Sequence, residues 1–561
     1  MSTIRRMAWL LASILLISSC AQKQHFDTIV TNGVIYDGSG GDPVKADLGI
    51  INDTVAAIGD LSKADATERV DAKGQAVAPG FINMMGHSEE SLLIDGRGQS
   101  DVRQGVTTEI FCESSFAPLT DALQKQMEGG QGDFKYKVDW HTLGEYMNGI
   151  VKKGISPNIA SFVGAGTVRT YVLGEDNKAP TPAQLDSMKA LVGQAMQDGA
   201  LGVTCALIYP PDNFATTDEL IALCKEASKY SGTYSSHMRS EGNQFVEAVS
   251  ELLRIAREAK IPAEIHHLKA GGKNNWYKMD TVIAMVEAAR KEGLEVASDM
   301  YTYLAGATGL TSAFPPTLQD GGFGKLRERL MDPKVRAQMK KEMNTDAQGW
   351  ENLYYGAGGA DHVLLLGFKQ DSLKKYIGKT VGEVAKLRHQ TPEDCAMDLI
   401  IQDSTRVGVA YFLMSEENVR KQAGLHWVSF GSDEGSYSTE GVFLKSNAHP
   451  RAYGNFARFL GKYVREDKVC TLQEAIYKLA KLPADHLRLT GRGMLKPGYF
   501  ADVVIFDPAT IIDHSTFEKP HQYSTGVSDV WINGKQVLKN SEPTDARPGR
   551  FVTGPGFGKK L

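Results

Sequence analysis

Two histidines, His237 and His267, each end a predicted strand, in the segments YSSHMRSE and EIHHLKAGG. The two strands follow one another along the chain. Neutral imidazoles from neighbouring strand ends suit a catalytic zinc ion that keeps one coordination position open. Because His266 and His267 alternate along their strand, one side chain points inward and the other toward the helices. We expect His267 to be the ligand.

Further candidate ligands lie in the stretch from Val77 to Leu119. Its first apolar run leads to His87, and its second run, Val106 to Phe111, ends in Cys112 and Glu113. Carboxylate oxygen and thiolate are both zinc ligands, so Cys112 and Glu113 compete for one role. A cysteine can also be a small buried hydrophobe, and a glutamate in a loop can simply be solvated.

Asp433 ends another apolar run, Trp427 to Ser432. Close to a metal, such a carboxylate can accept the proton of a water molecule and give it to the leaving nitrogen of an amide. An aspartate beside a glycine is also common in turns. The four side chains His237, His267, Glu113 and Asp433 together predict a metal-dependent hydrolase.

The elements that would position these side chains alternate between helix and strand from about residue 78 to 490, which is typical of parallel βα units. The predicted helices are Pro182–Gln197, Thr217–Tyr230, Asn243–Glu258 and Met279–Glu292. The predicted strands are Leu201–Ala206, Gly232–His237, Pro262–His266 and Leu294–Asp299. Barrel enzymes carry their active sites at the C-terminal ends of such strands.

Both ends of the chain are rich in short β runs. Asn32-Gly33, between Asp27–Val30 and Val34–Tyr36, predicts a hairpin turn, and Asn533-Gly534 predicts another near the C-terminus. We therefore expect an α/β fold in which a TIM-like (β/α)8 barrel, residues 78–490, carries a small β-sandwich built from residues 20–77 and 491–561. Residues 306–390 are rich in Lys, Arg and Gly and fit the alternation poorly, which predicts an insertion that covers the site.

Composition excludes some functions. With Lys+Arg 62 against Asp+Glu 67 the net charge is −5, which argues against nucleic acid as a partner. The six cysteines are scattered and include no CxxC pair, so neither a zinc ribbon nor a disulfide framework is indicated.

The N-terminus has the features of a targeting signal. Arg5 and Arg6 precede an apolar segment, Met7 to Ile17, that is too short to span a bilayer. Ser18-Ser19-Cys20 follows and resembles a bacterial lipoprotein cleavage box. We expect a signal peptide over residues 1–19, lipidation of Cys20 and, because Ala21 rather than Asp follows, anchoring in the outer membrane facing the periplasm. The alternative is an ordinary secretory signal.

Taken together, the motifs resemble the amidohydrolase superfamily, and within it the N-acyl-D-amino-acid deacylase (D-aminoacylase) family. The matching segments run in the family's order along nearly the whole mature chain. They are APGFIN…GHSE, RQGVTTEI, GAGTVR, DGALGVTCALIYPP, YSSHMRSE, IHHLKAGG, SDMYTYLAGATGL, FGSDEG, HPRAYGNFARFL, GRGMLKPGYFADVVIFDP and INGKQV. The resemblance implies a zinc-dependent barrel that hydrolyses the amide of an N-acyl-D-amino acid, a small-molecule substrate.

The resemblance also implies roles for individual residues. His237 and His267 match the ligands of the tightly held zinc, and Asp433 matches the catalytic acid/base. The family's metal-binding cysteine falls at Ser114, so Cys112 is not its counterpart and Glu113 is the preferred anionic ligand. The residues on stretches that grip the substrate carboxylate in relatives are Lys269, Arg451, Tyr209 and Tyr301, with Arg239 as a further candidate.

One departure from the family bears on the metal site. Met85 stands where the family's first histidine belongs, and a thioether is a poor zinc ligand, so we expect one zinc on Glu113, His237 and His267 with water as the fourth ligand. His87 is the remaining candidate ligand, and the number of metal ions stays open.

A second departure from the family concerns the substrate, because Ala307 stands where relatives have a substrate-facing serine. Hydrolysis of another amide, such as a D-residue dipeptide, and an inactive envelope-anchored binding protein are the alternative functions.

Overall fold

The computed structural model describes residues 25–347 and 349–560, and the lipidation site predicted at Cys20 lies outside them. In the described residues the strands are β1 His25–Ile35, β2 Val44–Ile51, β3 Thr54–Gly59, β4 Asp65–Asp71, β5 Ala76–Pro79, β6 Phe81–Gly86, β7 Val106–Phe111, β8 Asn158–Ser161, β9 Val163–Gly164, β10 Gly202–Ala206, β11 Thr233–His237, β12 Ala263–Ile265, β13 Val296–Ser298, β14 Ala305–Gly309, β15 Val363–Gly367, β16 Gly408–Phe412, β17 Val503–Phe506, β18 Val527–Ile532, β19 Lys535–Lys539 and β20 Glu542–Pro543.

The α-helices of the same residues are α1 Ser91–Ile94, α2 Gln99–Val102, α3 Asp121–Gly130, α4 Leu143–Lys153, α5 Ala165–Leu173, α6 Pro182–Asp198, α7 Thr217–Lys229, α8 Phe245–Ala259, α9 Met279–Lys291, α10 Phe323–Leu330, α11 Pro333–Met343, α12 Leu353–Gly356, α13 Val381–Arg388, α14 Pro392–Asp403, α15 Glu416–Ala423, α16 Arg451–Arg458, α17 Leu472–Leu479 and α18 Lys481–His486. Across these described stretches, none of the helices has the length and apolar character needed to span a membrane.

Two parallel sheets form the centre of the molecule. One has the order β6-β7-β8 and the other β9-β10-β11-β12-β13. Their strands are fully buried, as β7 illustrates, and this is expected when helices cover a parallel sheet. The main-chain N–H of Leu201 donates to the carbonyl of Ser161, which joins the two sheets at β8 and β10. Parallel order places all the C-terminal strand ends on one side.

The helices between these strands begin where the sequence predicts. The α6 helix has Pro182 at its first position, and the side chain of Thr181 accepts a hydrogen bond from the N–H of Gln184 in a capping box. The α8 helix buries an amphipathic face that includes Val249, Leu252 and Ala256. The predictions of α6 to α9 and of β10 to β13 are confirmed to within about two residues at each end.

The two ends of the chain share one sheet. Its order is β20-β19-β18-β17-β5-β1-β2-β3, with β4 paired to β1, so β5 from the N-terminal part lies directly beside β17 from the C-terminal part. These strands enclose a core of their own, in which Val77, Val503 and Trp531 are buried. The sequence predicted a sandwich, whereas the strands form one continuous hydrogen-bonded sheet.

The two Asn-Gly pairs have different structures. Asn533 and Gly534 both have positive φ, 48° and 73°, and connect β18 to β19 as a tight hairpin turn. The hairpin predicted at Asn32-Gly33 is wrong, because β1 runs through it and only its register with β2 shifts there. Asn32 has a φ of 57°, which makes a bulge, and a Cβ on Gly33 would lie 2.5 Å from Cγ2 of Val77.

A fourth sheet is antiparallel and has the order β14-β16-β15. Its strands β14 and β15 begin and end the first part of the segment that was predicted as an insertion, with helices α10 to α12 between them, whereas β16 ends at Phe412, past the predicted boundary at residue 390. Gly306, Thr308 and Leu366 of this sheet line the same cavity as the strand ends of the parallel sheets. The segment thus forms one wall of that cavity.

Candidate active site

Three ligand-type side chains converge where parallel strands end. Glu113 follows β7 by two residues, His237 is the last residue of β11, and His267 lies two residues beyond β12. The Oε1 atom of Glu113 is 2.9 Å from Nδ1 of His237 and 3.0 Å from Nε2 of His267. The structure therefore gathers into one cluster the three residues for which the sequence proposed a shared metal.

Glu113, and not Cys112, faces this cluster. Cys112 is fully buried in an apolar group of side chains, and its Sγ is 3.5 Å from the carbonyl oxygen of Met84. Burial raises the pKa of the Cys112 thiol well above its ordinary value and so disfavours the thiolate that a metal requires. Glu113 has a φ of 63°, in the left-handed region, and its side chain lines the cavity.

His267, and not His266, contacts Glu113, as predicted, but the reason is not the alternation of side chains along a strand. Strand β12 ends at Ile265, so alternation along a strand does not apply, and His267 has a φ of 35°. His266 is fully buried, with Nδ1 2.8 Å from Oδ2 of Asp299. The other carboxylate oxygen of Asp299 accepts a hydrogen bond from the main-chain N–H of His267 at 2.9 Å. Asp299 therefore holds the turn on which His267 is mounted.

The donor atoms of this cluster fit zinc. Two imidazole nitrogens and one carboxylate oxygen are a common catalytic ligand set, and tetrahedral ligands at 2.0–2.1 Å from zinc lie roughly 3.3 Å apart. The observed separations from Glu113 Oε1 are close to that value, at 2.9 and 3.0 Å. Burial alone would raise the pKa of Glu113, but its contacts with His237 and His267 hold that pKa well below the usual range. Glu113 is therefore an anion in the cluster.

His87 and Asp433 adjoin the three ligands. His87 Nε2 is 3.2 Å from Oδ1 of Asp433 and 3.7 Å from Oε2 of Glu113, so these three could hold a second cation. Burial alone would raise the pKa of Asp433, but Arg451, 2.6 Å from its Oδ2, and His267 hold that pKa well below its ordinary value. Asp433 is thus ionised, and its Oδ1 faces His87.

Met85 lies apart from both groups of ligands. It is fully buried in an apolar cluster with Ile82, Met84 and Ile110. Its main-chain carbonyl accepts a hydrogen bond from the N–H of Asp433 at 2.9 Å, but its side chain is absent from the cavity lining. The thioether therefore does not substitute for a histidine ligand, and the second group has one histidine, His87.

Glu241 is a buried acid that the sequence analysis missed. Its Oε1 is 2.9 Å from Nδ1 of His267 and 2.7 Å from Nζ of Lys269, and its Oε2 is 3.7 Å from Nε2 of His237. Burial would raise the pKa of Glu241, but Lys269 and the two histidines lower it to about 2. The signal in the sequence was its position four residues after His237, in the segment HMRSE.

The candidates for binding the substrate carboxylate surround Tyr301. The guanidinium carbon of Arg451 is 4.4 Å from the centre of the Tyr301 ring, and Nζ of Lys269 is 5.6 Å from it. The Tyr301 hydroxyl is buried and has no hydrogen-bond partner among the described residues. A free hydroxyl beside two cations suits a carboxylate. Tyr209 lines the cavity beside His237, with their ring centres 5.2 Å apart.

The prediction that Arg239 contacts the substrate is wrong. Its guanidinium pairs with Glu251 at 2.9 Å and donates hydrogen bonds to the carbonyl oxygens of Asn213 and Ala215. It therefore ties α8 to the loop before α7, outside the cavity lining. His237 is the last residue of β11, whereas Arg239 lies two residues beyond it and outside the strand, so strand alternation does not relate the directions of the two side chains.

A single cavity of about 1130 Å³ contains the whole arrangement. One end carries the ligands and Asp433, and the remainder is lined by polar and apolar side chains that include Leu123, Phe134, Arg406 and Phe443. Ligand pockets in proteins usually measure roughly 300–1,000 Å³. The cavity is therefore large enough for a substrate well beyond the size of the reacting amide.

Comparisons with known proteins agree with this site. An amidohydrolase family model matches residues 423–538. The chain is 32% identical to the D-aminoacylase of Alcaligenes xylosoxydans xylosoxydans over 95% of its own length and 99% of that protein. A crystal structure of D-aminoacylase aligns with a TM-score of 0.78 at 30% identity, covering 94% of this chain and 100% of that one.

An N-acyl-D-glutamate deacylase from Bordetella bronchiseptica, solved in complex with zinc and a phosphonate inhibitor, also aligns with a TM-score of 0.78. The two sequences are 27% identical, and the alignment covers 94% of this chain and 100% of the deacylase chain. The similarity in sequence and in structure therefore extends over almost the full length of this chain and of its relatives. The chain belongs to the D-aminoacylase family of amidohydrolases.

Proposed function

We propose that this protein is a zinc-dependent hydrolase of N-acyl-D-amino acids that releases a carboxylic acid and a D-amino acid. The observation that carries the proposal is the convergence of Glu113, His237 and His267 within hydrogen-bonding distance, with Asp433 beside them. The full-length similarity to a D-aminoacylase, and to an N-acyl-D-glutamate deacylase solved with zinc, supports the same chemistry.

Asp433 is the residue that would move the proton. Zinc held by Glu113, His237 and His267 would polarise the amide carbonyl and lower the pKa of a water molecule. Because Arg451 pairs with Oδ2 of Asp433, Oδ1, which faces His87 at 3.2 Å, is the oxygen that would accept a proton from the attacking water and give it to the leaving nitrogen. Arg451 thereby fixes both the orientation and the ionised state of the base.

The α-carboxylate of the substrate would bind beside Tyr301. The Tyr301 hydroxyl can donate a hydrogen bond, and Nε of Arg451 is buried without a partner among the described residues. Lys269 adds positive charge, although Glu241 already neutralises it. Tyr209 closes the cavity on the side of His237. These four side chains would hold the reacting amide near Asp433.

The test is to measure hydrolysis of N-acetyl-D-amino acids by the zinc-loaded protein and by its Asp433→Asn variant. General acid–base catalysis contributes about 10²- to 10⁴-fold, so we expect kcat to fall by that factor while bound zinc stays unchanged. Arg239→Gln, which alters a half-buried guanidinium outside the cavity, is the matched control. Turnover by Asp433→Asn at the rate of the natural protein would remove the assigned role.

Hydrolysis of a larger amide is a second candidate, because a cavity of about 1130 Å³ leaves room for a substrate such as a D-residue dipeptide. Rates on a D-residue dipeptide and on an N-acetyl-D-amino acid, measured side by side, distinguish the two. An inactive scaffold would hydrolyse neither, and it need not retain zinc after dialysis.

We also infer that the parallel strands complete a TIM-like (β/α)8 barrel. Two contacts support a closed ring: Ser298 of β13 forms a parallel bridge with Val428, and the N–H of Met84 in β6 donates to the carbonyl of Phe430. In that arrangement β8 and β9, which only Phe162 separates, count as one strand, residues 428–431 are the eighth strand, and Asp433 lies just beyond its C-terminal end. An active site on that face is the usual one for such barrels.

Anchoring of the mature chain to the outer membrane through a lipid on Cys20 is our proposal from the sequence. The lipoprotein-like segment ending in Ser18-Ser19-Cys20 supports it. Metabolic labelling with radioactive palmitate tests it. The natural protein should incorporate the label and fractionate with the outer membrane, whereas a Cys20→Ala variant should do neither.

A further inference from the structure

A group of apolar and aromatic side chains in the cavity takes no part in the proposed chemistry. We call it the apolar lobe, and its members are Leu119, Leu123, Met127, Phe134, Tyr437 and Phe443. Leu123 and Met127 belong to α3, a helix with no fully buried residue, and lie on one of its faces because they are four residues apart. Both are half-buried and pack only partly against the core. Apolar side chains that line a cavity and are only half covered mark a ligand-binding groove.

Three aromatic rings form one part of the apolar lobe. The centre of the Phe134 ring is 5.1 Å from that of Phe443 and 6.4 Å from that of Tyr437, and the last two rings are 5.8 Å apart. Phe134 lies four residues beyond the end of α3 at Gly130, so the helix and this ring belong to one segment of the chain. The rings offer an apolar surface that continues the one presented by α3.

Polar contacts hold the segment that contains α3 and Phe134. Asp133 pairs with Nζ of Lys374 at 2.8 Å and with Nζ of Lys445 at 3.2 Å. Nζ of Lys369 donates hydrogen bonds to the carbonyl oxygens of Gly129 and Gly130, at 3.3 and 3.4 Å. The apolar lobe is therefore formed before a ligand arrives, so binding does not have to order it.

Tyr437 places the apolar lobe beside the reacting centre. Its hydroxyl donates a hydrogen bond at 3.2 Å to Oε2 of Glu434, the residue that follows Asp433. The main-chain N–H of His87 donates to the carbonyl oxygen of Glu434, so the lobe begins on the side of Asp433 that carries His87. Arg451, part of the proposed carboxylate site, pairs with the other carboxylate oxygen of Asp433. The apolar lobe and the carboxylate site thus lie on different sides of the proposed base.

The geometry of an amide decides which part of the substrate reaches the apolar lobe. An amide is planar and trans, so its acyl carbon and the Cα of its amino acid lie at opposite ends of the group. The side chain and the α-carboxylate branch from the same Cα, so both stay close to Tyr301 when the carboxylate binds there. The acyl group is the part that extends past Asp433 in the other direction.

We propose that the apolar lobe binds the acyl group and that the preferred substrates carry a long apolar acyl chain rather than acetyl. The inference rests on the proposed function and adds its substrate class. The cavity of about 1130 Å³ has room for such a chain beyond the reacting amide. A methylene that leaves water for an apolar surface favours binding by roughly 4-fold, whereas an acetyl group would leave most of the lobe uncovered.

The test moves one alkyl chain from the acyl side of the amide to the amino acid side. N-octanoyl-D-alanine and N-acetyl-D-α-aminononanoate are isomers, and each has six more methylenes than N-acetyl-D-alanine. For the zinc-loaded protein, kcat/KM for the octanoyl compound should exceed that for N-acetyl-D-alanine by roughly 4-fold for each methylene that the lobe covers. The aminononanoate should gain much less. Equal values for all three compounds, or a larger gain for the aminononanoate, would overturn the proposal and leave hydrolysis of N-acetyl substrates intact.

Replacing the cavity face of α3 tests which side chains contact the acyl chain. A Leu123→Ser, Met127→Ser variant should lower the octanoyl-to-acetyl ratio of kcat/KM by about 10-fold, because two apolar contacts with the chain are lost. Met331→Ser is the matched control, since Met331 is 50% exposed and lies outside the cavity lining, and it should keep the ratio. Circular dichroism checks that both variants are folded. An unchanged ratio in the folded α3 variant would contradict the assignment of the lobe.

A binding measurement separates this proposal from the proposed function. Calorimetric titration of the zinc-loaded protein with butanoate, hexanoate and octanoate, the acids that hydrolysis would release, needs no turnover. The dissociation constant should fall by roughly 4-fold for each added methylene, and less steeply in the Leu123→Ser, Met127→Ser variant. This dependence without hydrolysis of any amide would support the lobe and refute the proposed function. Affinity that does not change with chain length would refute the lobe, even for a protein that hydrolyses N-acetyl-D-amino acids.

Discussion

Replacing Glu241 by glutamine tests whether a buried acid orients the metal ligands. Glu241 is 3% exposed, and its Oε1 contacts both Nδ1 of His267 and Nζ of Lys269. Nδ1 of His267 has two neighbours, Oε1 of Glu241 at 2.9 Å and Nζ of Lys269 at 2.7 Å. An imidazole that binds metal through Nε2 must carry its proton on Nδ1, and of these two neighbours only the carboxylate can accept a hydrogen bond from it. The Glu241→Gln variant keeps the shape of the side chain but removes this anion.

Two effects of different size are expected. Loss of a partner that orients a metal ligand reduces metal affinity by about 10- to 100-fold, so the zinc dissociation constant should rise by that factor. The same substitution leaves the buried ammonium of Lys269 without its counter-ion, which costs about 3–5 kcal/mol of the free energy of unfolding. Removing both charges in a Glu241→Gln, Lys269→Met variant should recover part of that stability but none of the zinc affinity.

The assay is competition for zinc with a chelator, together with unfolding in urea. Glu219→Gln is the matched control, because Glu219 forms a buried ion pair with Arg169 at 2.7 Å and lies outside the cavity. It should lose comparable stability and keep its zinc affinity. If Glu241→Gln loses stability like this control but binds zinc as tightly as the natural protein, Glu241 serves only Lys269 and the reasoning about the tautomer is wrong.

Two further predictions concern protons and metal. Burial raises the pKa of Asp101 and, together with the charge of Asp101, that of its neighbour Glu109, so the folded state holds protons that the unfolded chain has lost, and stability falls as pH rises above about 4. The Asp101→Asn variant should show a smaller decline. If the free energy of unfolding falls by the same amount between pH 5 and pH 8 in the natural protein and in the variant, the prediction is wrong. Removing zinc with a chelator should lower the unfolding temperature, because a ligand at about 1,000 times its dissociation constant stabilises by about 4 kcal/mol. An unfolding temperature that does not rise when zinc is returned would count against a metal bound by Glu113, His237 and His267.

Local sequence patterns predicted helices and strands well wherever contacts between distant residues favour the same structure as the local residues do. The α6 helix begins at Pro182 because the side chain of Thr181 and the fixed φ of proline both favour a helix start there, and neither depends on distant contacts. The pair Asn32-Gly33 misled the prediction because both a hairpin and a bulge use an asparagine with positive φ. Contact with Val77, distant in sequence, decided between them.

The site was only partly predictable for a related reason. His237, His267 and Asp433 each follow a predicted strand, so the sequence marks them as residues at strand ends. Glu241 lies in a loop, and its importance comes from the two histidine rings that it approaches in space. The alternation of side chains along a strand could not predict the direction of the His267 side chain either, because the strand ends at Ile265.

The pairing of β5 with β17 has a consequence for biosynthesis. While the polypeptide is still being made, Ala76–Pro79 has a partner on one side only, and the other side stays open until Val503–Phe506 has left the ribosome. An open strand edge is a site of aggregation. A premature stop codon anywhere before Val503 would leave that edge permanently exposed, so truncated chains should be insoluble even when every ligand of the metal is present.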